Sequence, residues 1–194
     1  MIDNLYSQFH PHPNTGIACL YADYKDQNSQ TLVHILGSFL HQFLTTAIKP
    51  IPTEVIQKLQ DLQRRGGKLG TEDTLALLKI RLHQLQHAFI CIDAVDELEP
   101  RVRRQLLDVL KDLGSNTRLF LTGRGHIESE VQSRLQVIPK NKVIIDASQQ
   151  DIQLFVREQI ITDDPYPDAM DQVLEEEIVE AIVRKSRGMY VIVF

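Results

Sequence analysis

Two hydrophobic rhythms alternate along the chain. Short apolar runs of strand length recur at Gly16–Tyr24 (GIACLYADY), Ala88–Asp93 (AFICID), Arg118–Thr122 (RLFLT) and Lys142–Asp146 (KVIID). Between them, apolar residues return every three or four positions, the period of one helix face. Leu32, Ile35, Leu36, Phe39, Phe43 and Leu44 predict a helix over Thr31–Ala47. Thr53 can cap the next helix, which runs to about Gln63. A turn with Gly66, Gly67 and Gly70 follows, and Thr71 opens a helix with Leu75, Leu78, Leu82 and Leu85 facing inward. Pro100 opens another, with Val102, Leu106, Leu110 and Leu113 on one face and Gly114 closing it. A polar helix is expected over His126–Leu135. Ser148 with Asp151 reads as a capping box for a helix over Ile152–Ile160. Asp163–Pro167 reads as a linker, and the last helix, Ala169–Arg187, turns Leu174, Ile178 and Ile182 inward before an apolar MYVIVF end. At the other end, Ile2, Leu5 and Phe9 share a helical face, and the prolines of His10–Asn14 (HPHPN) favour an extended connector.

The run AFICID does not alternate, so it predicts a strand covered on both faces, as in a parallel sheet. Strands alternating with helices imply a parallel sheet with right-handed crossovers. Ligands of such sheets sit beyond the carboxyl ends of the strands. With 194 residues and about 150 residues per domain, the chain is one domain with an appendage.

Composition excludes more than it assigns. Apolar residues make up 43% and charged residues 24%, ordinary globular values that exclude a disordered tail, a collagen-like fibre and a coiled coil. No apolar run approaches the ~18 residues of a membrane span. The opening MIDNLYSQFH has no basic segment leading into an apolar one, so no secretory signal is visible and a cytoplasmic location is expected. The net charge is −5. The densest basic cluster, Arg101, Arg103 and Arg104, lies beside Glu99 and Asp108 and reads as a solvated helix face. Neither nucleic acid nor a membrane surface is expected as a partner. Cys19 and Cys91 are expected to be buried and reduced. The pairs His10/His12 and His83/His87 lack the acid or cysteine company of a zinc site. No GxSxG elbow occurs, and the Cys91 thiol within an apolar strand should be inert.

Two strand ends carry the candidate chemistry. After Phe89–Ile92 the chain reads Asp93-Ala94-Val95-Asp96-Glu97. A magnesium ion near phosphates takes hard oxygen ligands and keeps several waters, so one carboxylate on a rigid strand tip suits it. In P-loop NTPases an acid at this place holds the metal, while another group positions the attacking water. Asp93 is therefore the candidate metal ligand. Glu97, with Asp96 as rival, is the candidate for orienting or deprotonating water. The plainer alternative is an acidic loop in which Asp96 or Glu97 caps the following helix. One short turn past the third strand stands Arg124, in Leu119-Phe120-Leu121-Thr122-Gly123-Arg124. Its planar fork matches phosphate oxygens and stays charged, so it can read a terminal phosphate and report its loss. The alternative is a salt bridge to Asp93 or Glu97, which a phosphate-sensing arginine also needs when its ligand leaves.

In that order, LYADYKDQ at Leu20–Gln27, FICIDAVDEL at Phe89–Leu98, RLFLTGR at Arg118–Arg124 and SRGMY at Ser186–Tyr190 resemble the NACHT-type nucleotide-binding modules. More narrowly they resemble the nephrocystin 3-like N-terminal modules found in fungal proteins with ankyrin or other repeats. These belong to the STAND class of P-loop NTPases, nucleotide-gated switches in signalling. The resemblance implies an α/β three-layer sandwich, with a truncated nucleotide-binding core over residues 1–147 and the start of a helical lid domain over 148–194. It implies Asp93 as the magnesium-site acid of the Walker B strand, Asp96 and Glu97 as the acidic pair after it, and Arg124 as the sensor arginine. ATP or ADP with magnesium would be the cofactors, and flanking effector and repeat domains the route to protein partners. Where the family usually has proline after the arginine this chain has Gly125, which loosens the loop.

The phosphate loop GxxxxGK[ST] does not occur. In the Gly67-Lys68 pair, Leu69 replaces Ser or Thr and Leu62 stands where the first glycine belongs. In the family that loop lies just upstream of a helix like Met1–Phe9. The expectation is a sheet lacking its first, central strand, which leaves a gap or forces Lys142–Asp146 to pair elsewhere. The chain alone is then expected neither to bind ATP usefully nor to hydrolyse it. Two alternatives stay open: an active ATPase whose loop comes from a longer gene product, and a non-enzymatic α/β interaction domain.

Overall fold

A computed structural model describes residues 7–8, 14–46, 50–136, 141–146, 148–163, 171–186 and 190–193. Three of the apolar runs become strands of one parallel ladder: β1 (Thr15–Tyr21), β2 (His87–Asp93) and β3 (Thr117–Arg124). Their register sets Tyr21 opposite Asp93 and Ile92 opposite Leu121, so all three carboxyl ends finish along one edge. Between the strands run α1 (Leu32–Thr46), α2 (Thr53–Arg64), α3 (Thr71–His83) and α4 (Pro100–Lys111). After β3 come α5 (Glu128–Leu135), β4 (Val143–Asp146), α6 (Gln149–Asp163), α7 (Gln172–Ser186) and β5 (Tyr190–Val193).

The sheet order is β1-β2-β3-β5-β4. The fourth apolar run therefore does not join its parallel neighbours. β5, from the MYVIVF end, pairs antiparallel with Thr122–Arg124 of β3, and β4 pairs antiparallel with β5. This corrects the all-parallel expectation. β4 runs in the direction of β1–β3 but pairs elsewhere. Its Val143, Ile144 and Ile145 are each more than half exposed, on both faces of the strand.

One core cluster joins the strands to α1, α3 and α4. Ala18, Ala88 and Ile90 pack with Leu36, Phe39 and Phe43 of α1, Leu78 and Leu82 of α3, and Leu106, Leu107 and Leu110 of α4. Asp112, not Gly114, ends α4; Gly114 takes a left-handed φ of +109° in the turn two residues further on. β1 is an edge strand, and α1 blunts it: Gln42 Oε1 accepts from the Cys19 N–H (2.8 Å) and Gln42 Nε2 donates to the Cys19 carbonyl (2.9 Å). A bare backbone edge would otherwise invite another strand.

Arg81 is the largest fully buried side chain. Its guanidinium donates to the carbonyls of Phe43 and Pro50 and to Gln84 Oε1, each at 3.0 Å. It ties the end of α1 and the following turn to α3, and burial lowers its pKa from the usual value.

α6 and α7 pair around a second, smaller cluster of Val156, Val179 and Val183, with Arg157 and Glu175 in an ion pair. The capping box is present: the Ser148 N–H donates to Asp151 Oδ2 (3.2 Å) and the Asp151 N–H to Ser148 Oγ (3.1 Å). The inward stripe of α7 keeps Ile178 but otherwise differs from the expected one. Leu174 and Ile182 are about two-fifths exposed, and Val179 and Val183 are buried in their place. The helix is turned so that Glu175, on the edge of the apolar face, reaches Arg157. Thr53 does not cap α2 either; Pro52 holds that position without a side-chain bond. The expected helix over Met1–Phe9, the connector His10–Pro13 and the linker after Asp163 fall almost wholly outside the described residues, as does most of SRGMY.

Arg81→Leu keeps an apolar stem but strips three acceptors of their donor. It is expected to lower unfolding free energy by about 2–4 kcal/mol in urea titration, against a near-zero effect for exposed Arg64→Leu.

Candidate functional site

The site begins with the end of β2. Asp93 is exposed at the strand tip. Thr122 of β3 stands beside it, with its hydroxyl donating to Asp93 Oδ1 and accepting from the Ala94 N–H at 2.8 Å. The chain then turns sharply. Ala94 sits in the left-handed region (φ 54°, ψ 47°), which redirects the backbone into a 3-10 turn over Val95–Glu97. Val95, fully buried, anchors that turn in the core. The turn carries Asp96 and Glu97 back over the end of β3.

There both acids meet Arg124. The Asp96 side chain is only 4% exposed; Oδ1 accepts from the Arg124 N–H at 3.2 Å and Oδ2 lies 3.7 Å from Arg124 Nε. Glu97 Oε1 lies 3.6 Å from Arg124 Nη2. The backbone of the arginine is thus fixed, while its side chain, 68% exposed, has two ion-pair contacts. Both exceed the ~2.7–2.9 Å of a directed charge-assisted bond. The cation is held by charge and can move at small cost.

All four residues singled out from sequence therefore stand at one edge: Asp93 at the tip of β2, Asp96 and Glu97 in the turn after it, Arg124 at the tip of β3. Of the two expected acid partners of Arg124, Glu97 is present, and Asp96 stands where Asp93 was the alternative. Arg124 pairs with Asp96 and Glu97, while Asp93 is bonded by the Thr122 hydroxyl. Neither Asp96 nor Glu97 caps α4. Glu99 does so, accepting from the Val102 N–H at 3.0 Å, so the capping alternative for the acidic pair falls. Asp96 is also the poorer candidate for touching water, since its carboxylate is buried against Arg124 and its carbonyl accepts from Arg103 (3.3 Å). Gly125 does not loosen the backbone of Arg124, because Asp96 grips its N–H and Ile127, 2% exposed, pins the turn that follows.

Sequence reasoning missed three contributors. Thr122 positions Asp93. Tyr24 donates its N–H to Glu97 Oε2 (3.3 Å), and Gln27 Nε2 donates to the Glu97 carbonyl (2.8 Å). The signal for Thr122 was a hydroxyl on a strand tip beside an acid. The contributions of Tyr24 and Gln27 come from the turn after β1, within the YADYKDQ segment, and local spacing does not point across 70 residues to Glu97.

Asp93 stands apart from the other two carboxylates, and among the described residues no group of three or more His, Cys, Asp or Glu could hold a metal ion. One exposed carboxylate suits magnesium that arrives with a phosphate ligand and keeps its waters; it does not make a resident ion site.

The fold and edge together define an α/β protein with a three-stranded parallel ladder and an acid–arginine cluster at its carboxyl end. A family model, nephrocystin 3 N-terminal, matches residues 1–124, a span that ends on Arg124, and the chain belongs to that family. No curated protein and no solved structure matches the chain.

Gly123 is packed where a Cβ would lie 2.8 Å from Ile127 Cδ1, 3.2 Å from Val95 Cγ1 and 3.4 Å from Asp96 Oδ1. Gly123→Ala is expected to cost about 1–3 kcal/mol in denaturant unfolding and to disturb the Asp96–Arg124 contact. A second expectation concerns pH. The backbone N–H groups of Arg101 and Val102 hold the Glu99 carboxyl below its usual range. A depressed carboxylate stabilises the fold above its unfolded pKa and ceases to do so as pH falls through the folded value. The difference in thermal midpoint between the unmodified chain and Glu99→Gln should be present at neutral pH and close below about pH 4.

Proposed function

We propose that this chain is the nucleotide-facing core of a STAND-type signalling switch of the NACHT kind. The carrying observation is the convergence of Asp93, Glu97 and an exposed, loosely held Arg124 on one sheet edge. In this reading Asp93 would hold magnesium, through water or directly. Magnesium would supply charge neutralisation on the phosphate oxygens. Arg124 leaves Glu97 for the terminal phosphate and returns when it is lost. Glu97 orients or deprotonates water, with Asp96 confined to holding the arginine backbone.

The 194 residues contain no phosphate loop. Each charge-assisted hydrogen bond contributes about 1.5–3 kcal/mol, so the loss of two or three weakens binding by roughly two to six decades. A micromolar site falls to about a tenth of a millimolar at best. Calorimetric titration of this chain with MgATP is expected to give no micromolar constant and no turnover. A micromolar constant would contradict the proposal.

One observation favours a reading in which a longer polypeptide completes the site. Among the described residues, no strand pairs with Thr117–Leu121 of β3 on the side away from β2, since β5 reaches only Thr122–Arg124. Beyond β5, β4 leaves apolar residues bare on both faces. A further parallel strand beside β3 would pair that bare backbone and bring a phosphate loop to the same edge. An upstream extension carrying GxxxxGK[ST] should restore micromolar MgATP affinity, and Asp93→Ala within it should lower turnover at least tenfold. Unchanged affinity and turnover in that variant would favour an interaction domain without nucleotide chemistry.

A further inference from the structure

Cys19 and Cys91 lie far apart in sequence yet sit directly opposite each other in the ladder of β1 and β2. In a parallel pair, residues in register project from the same face, and neighbouring strands lie about 4.7–4.9 Å apart. That spacing falls inside the Cα–Cα window of about 4.4–6.8 Å that a disulfide spans. Each thiol shifts the ionisation of the other. Their surroundings differ. Cys91 is 2% exposed, whereas Cys19 is half-buried on the edge strand, contrary to the expectation that both would be enclosed.

We propose that Cys19 and Cys91 form a thiol pair that a low-molecular-weight disulfide oxidises to a bridge between β1 and β2, with Cys19 as the attacking thiol and Cys91 resolving. The neighbouring Cys91 thiol lowers the Cys19 pKa, while the same contact and burial raise that of Cys91. The accessible thiol is thus also the one that ionises first, and the thiolate is the nucleophile. With oxidised glutathione, Cys19 Sγ attacks one glutathione sulfur. A Cys19–glutathione bond forms, the glutathione S–S bond breaks and one glutathione thiolate leaves. Cys91 then gives up its proton and attacks Cys19 Sγ, expelling the second glutathione. Two protein thiols are oxidised by two electrons, and one glutathione disulfide is reduced to two thiols.

The bridge would act on the candidate site through the backbone. Cys19 and Cys91 each lie two residues before a strand tip, and those tips, Tyr21 and Asp93, are themselves register partners. Oxidation would pin the turn that holds Glu97 to the strand that carries Asp93. The inference does not depend on nucleotide binding.

The test incubates the purified chain with oxidised glutathione, blocks remaining thiols with iodoacetamide and maps peptides without reduction. The expected result is a monomer with both thiols lost, a Cys19–Cys91 linked peptide, reversal by dithiothreitol and slowed amide exchange over Ile17–Leu20. Cys91→Ala should stop at Cys19 glutathionylation, and Cys19→Ala should leave Cys91 unmodified. Circular dichroism establishes that each variant folds, and the result on the unmodified chain stands without them. Disulfide-linked dimers, persistent glutathione on Cys19 with Cys91 free, or two unreacted thiols would each overturn the proposal.

Discussion

The parallel hydrogen-bond ladder of β1, β2 and β3 is the constraint on which the rest depends. Its register alone decides that Tyr21, Asp93 and Thr122 finish side by side. A slip of one residue in β2 would turn Asp93 to the opposite face and drive the apolar positions out of the core. The slip is resisted because Ala88, Ile90 and Ile92 are each at most 1% exposed beneath α1 and α4. Burial of one face thus fixes the chemistry displayed at the end of the other.

On that ladder the acidic turn works as a clamp with two grips. Asp96, almost enclosed, holds the backbone of Arg124; Glu97, partly exposed, faces its guanidinium and also accepts the Tyr24 N–H. A change at the arginine side chain therefore has a short covalent and hydrogen-bonded route to the turn after β1. The left-handed Ala94 makes this possible, since an extended residue there would carry the acids away from β3. A non-glycine residue in that region costs about 1–2 kcal/mol, and strain of this kind tends to sit where geometry matters.

Much of this was legible in the sequence because the signals were local. AFICID and RLFLT are uninterrupted apolar runs and became β2 and β3. Ser148 and Asp151 capped α6 as their spacing required. The four site residues follow strand ends directly, so knowing the strands located them. The exceptions are non-local. β5 arises from an apolar end whose partner could not be inferred from period, and its insertion beside β3 displaced β4. In α7, two overlapping apolar stripes compete, and packing against Val156 of α6 buries the one containing Val179 and Val183. Thr122 and Gln27 matter through contacts across the sheet edge. The register of Cys19 with Cys91 likewise exists only once β1 and β2 are paired.

The account's central claim is that this edge faces a polyphosphate, even where the chain lacks the means to grip one tightly. Its most direct test follows Arg124 Nε–H and the amides of Ala94 and Thr122 by nitrogen-15 NMR while magnesium tripolyphosphate is added to the intact chain. The account predicts that these three signals move together, saturate in the millimolar range and lose most of the response in Asp93→Ala. Signals that stay fixed while other parts of the protein respond, or that move equally in Asp93→Ala, would contradict it.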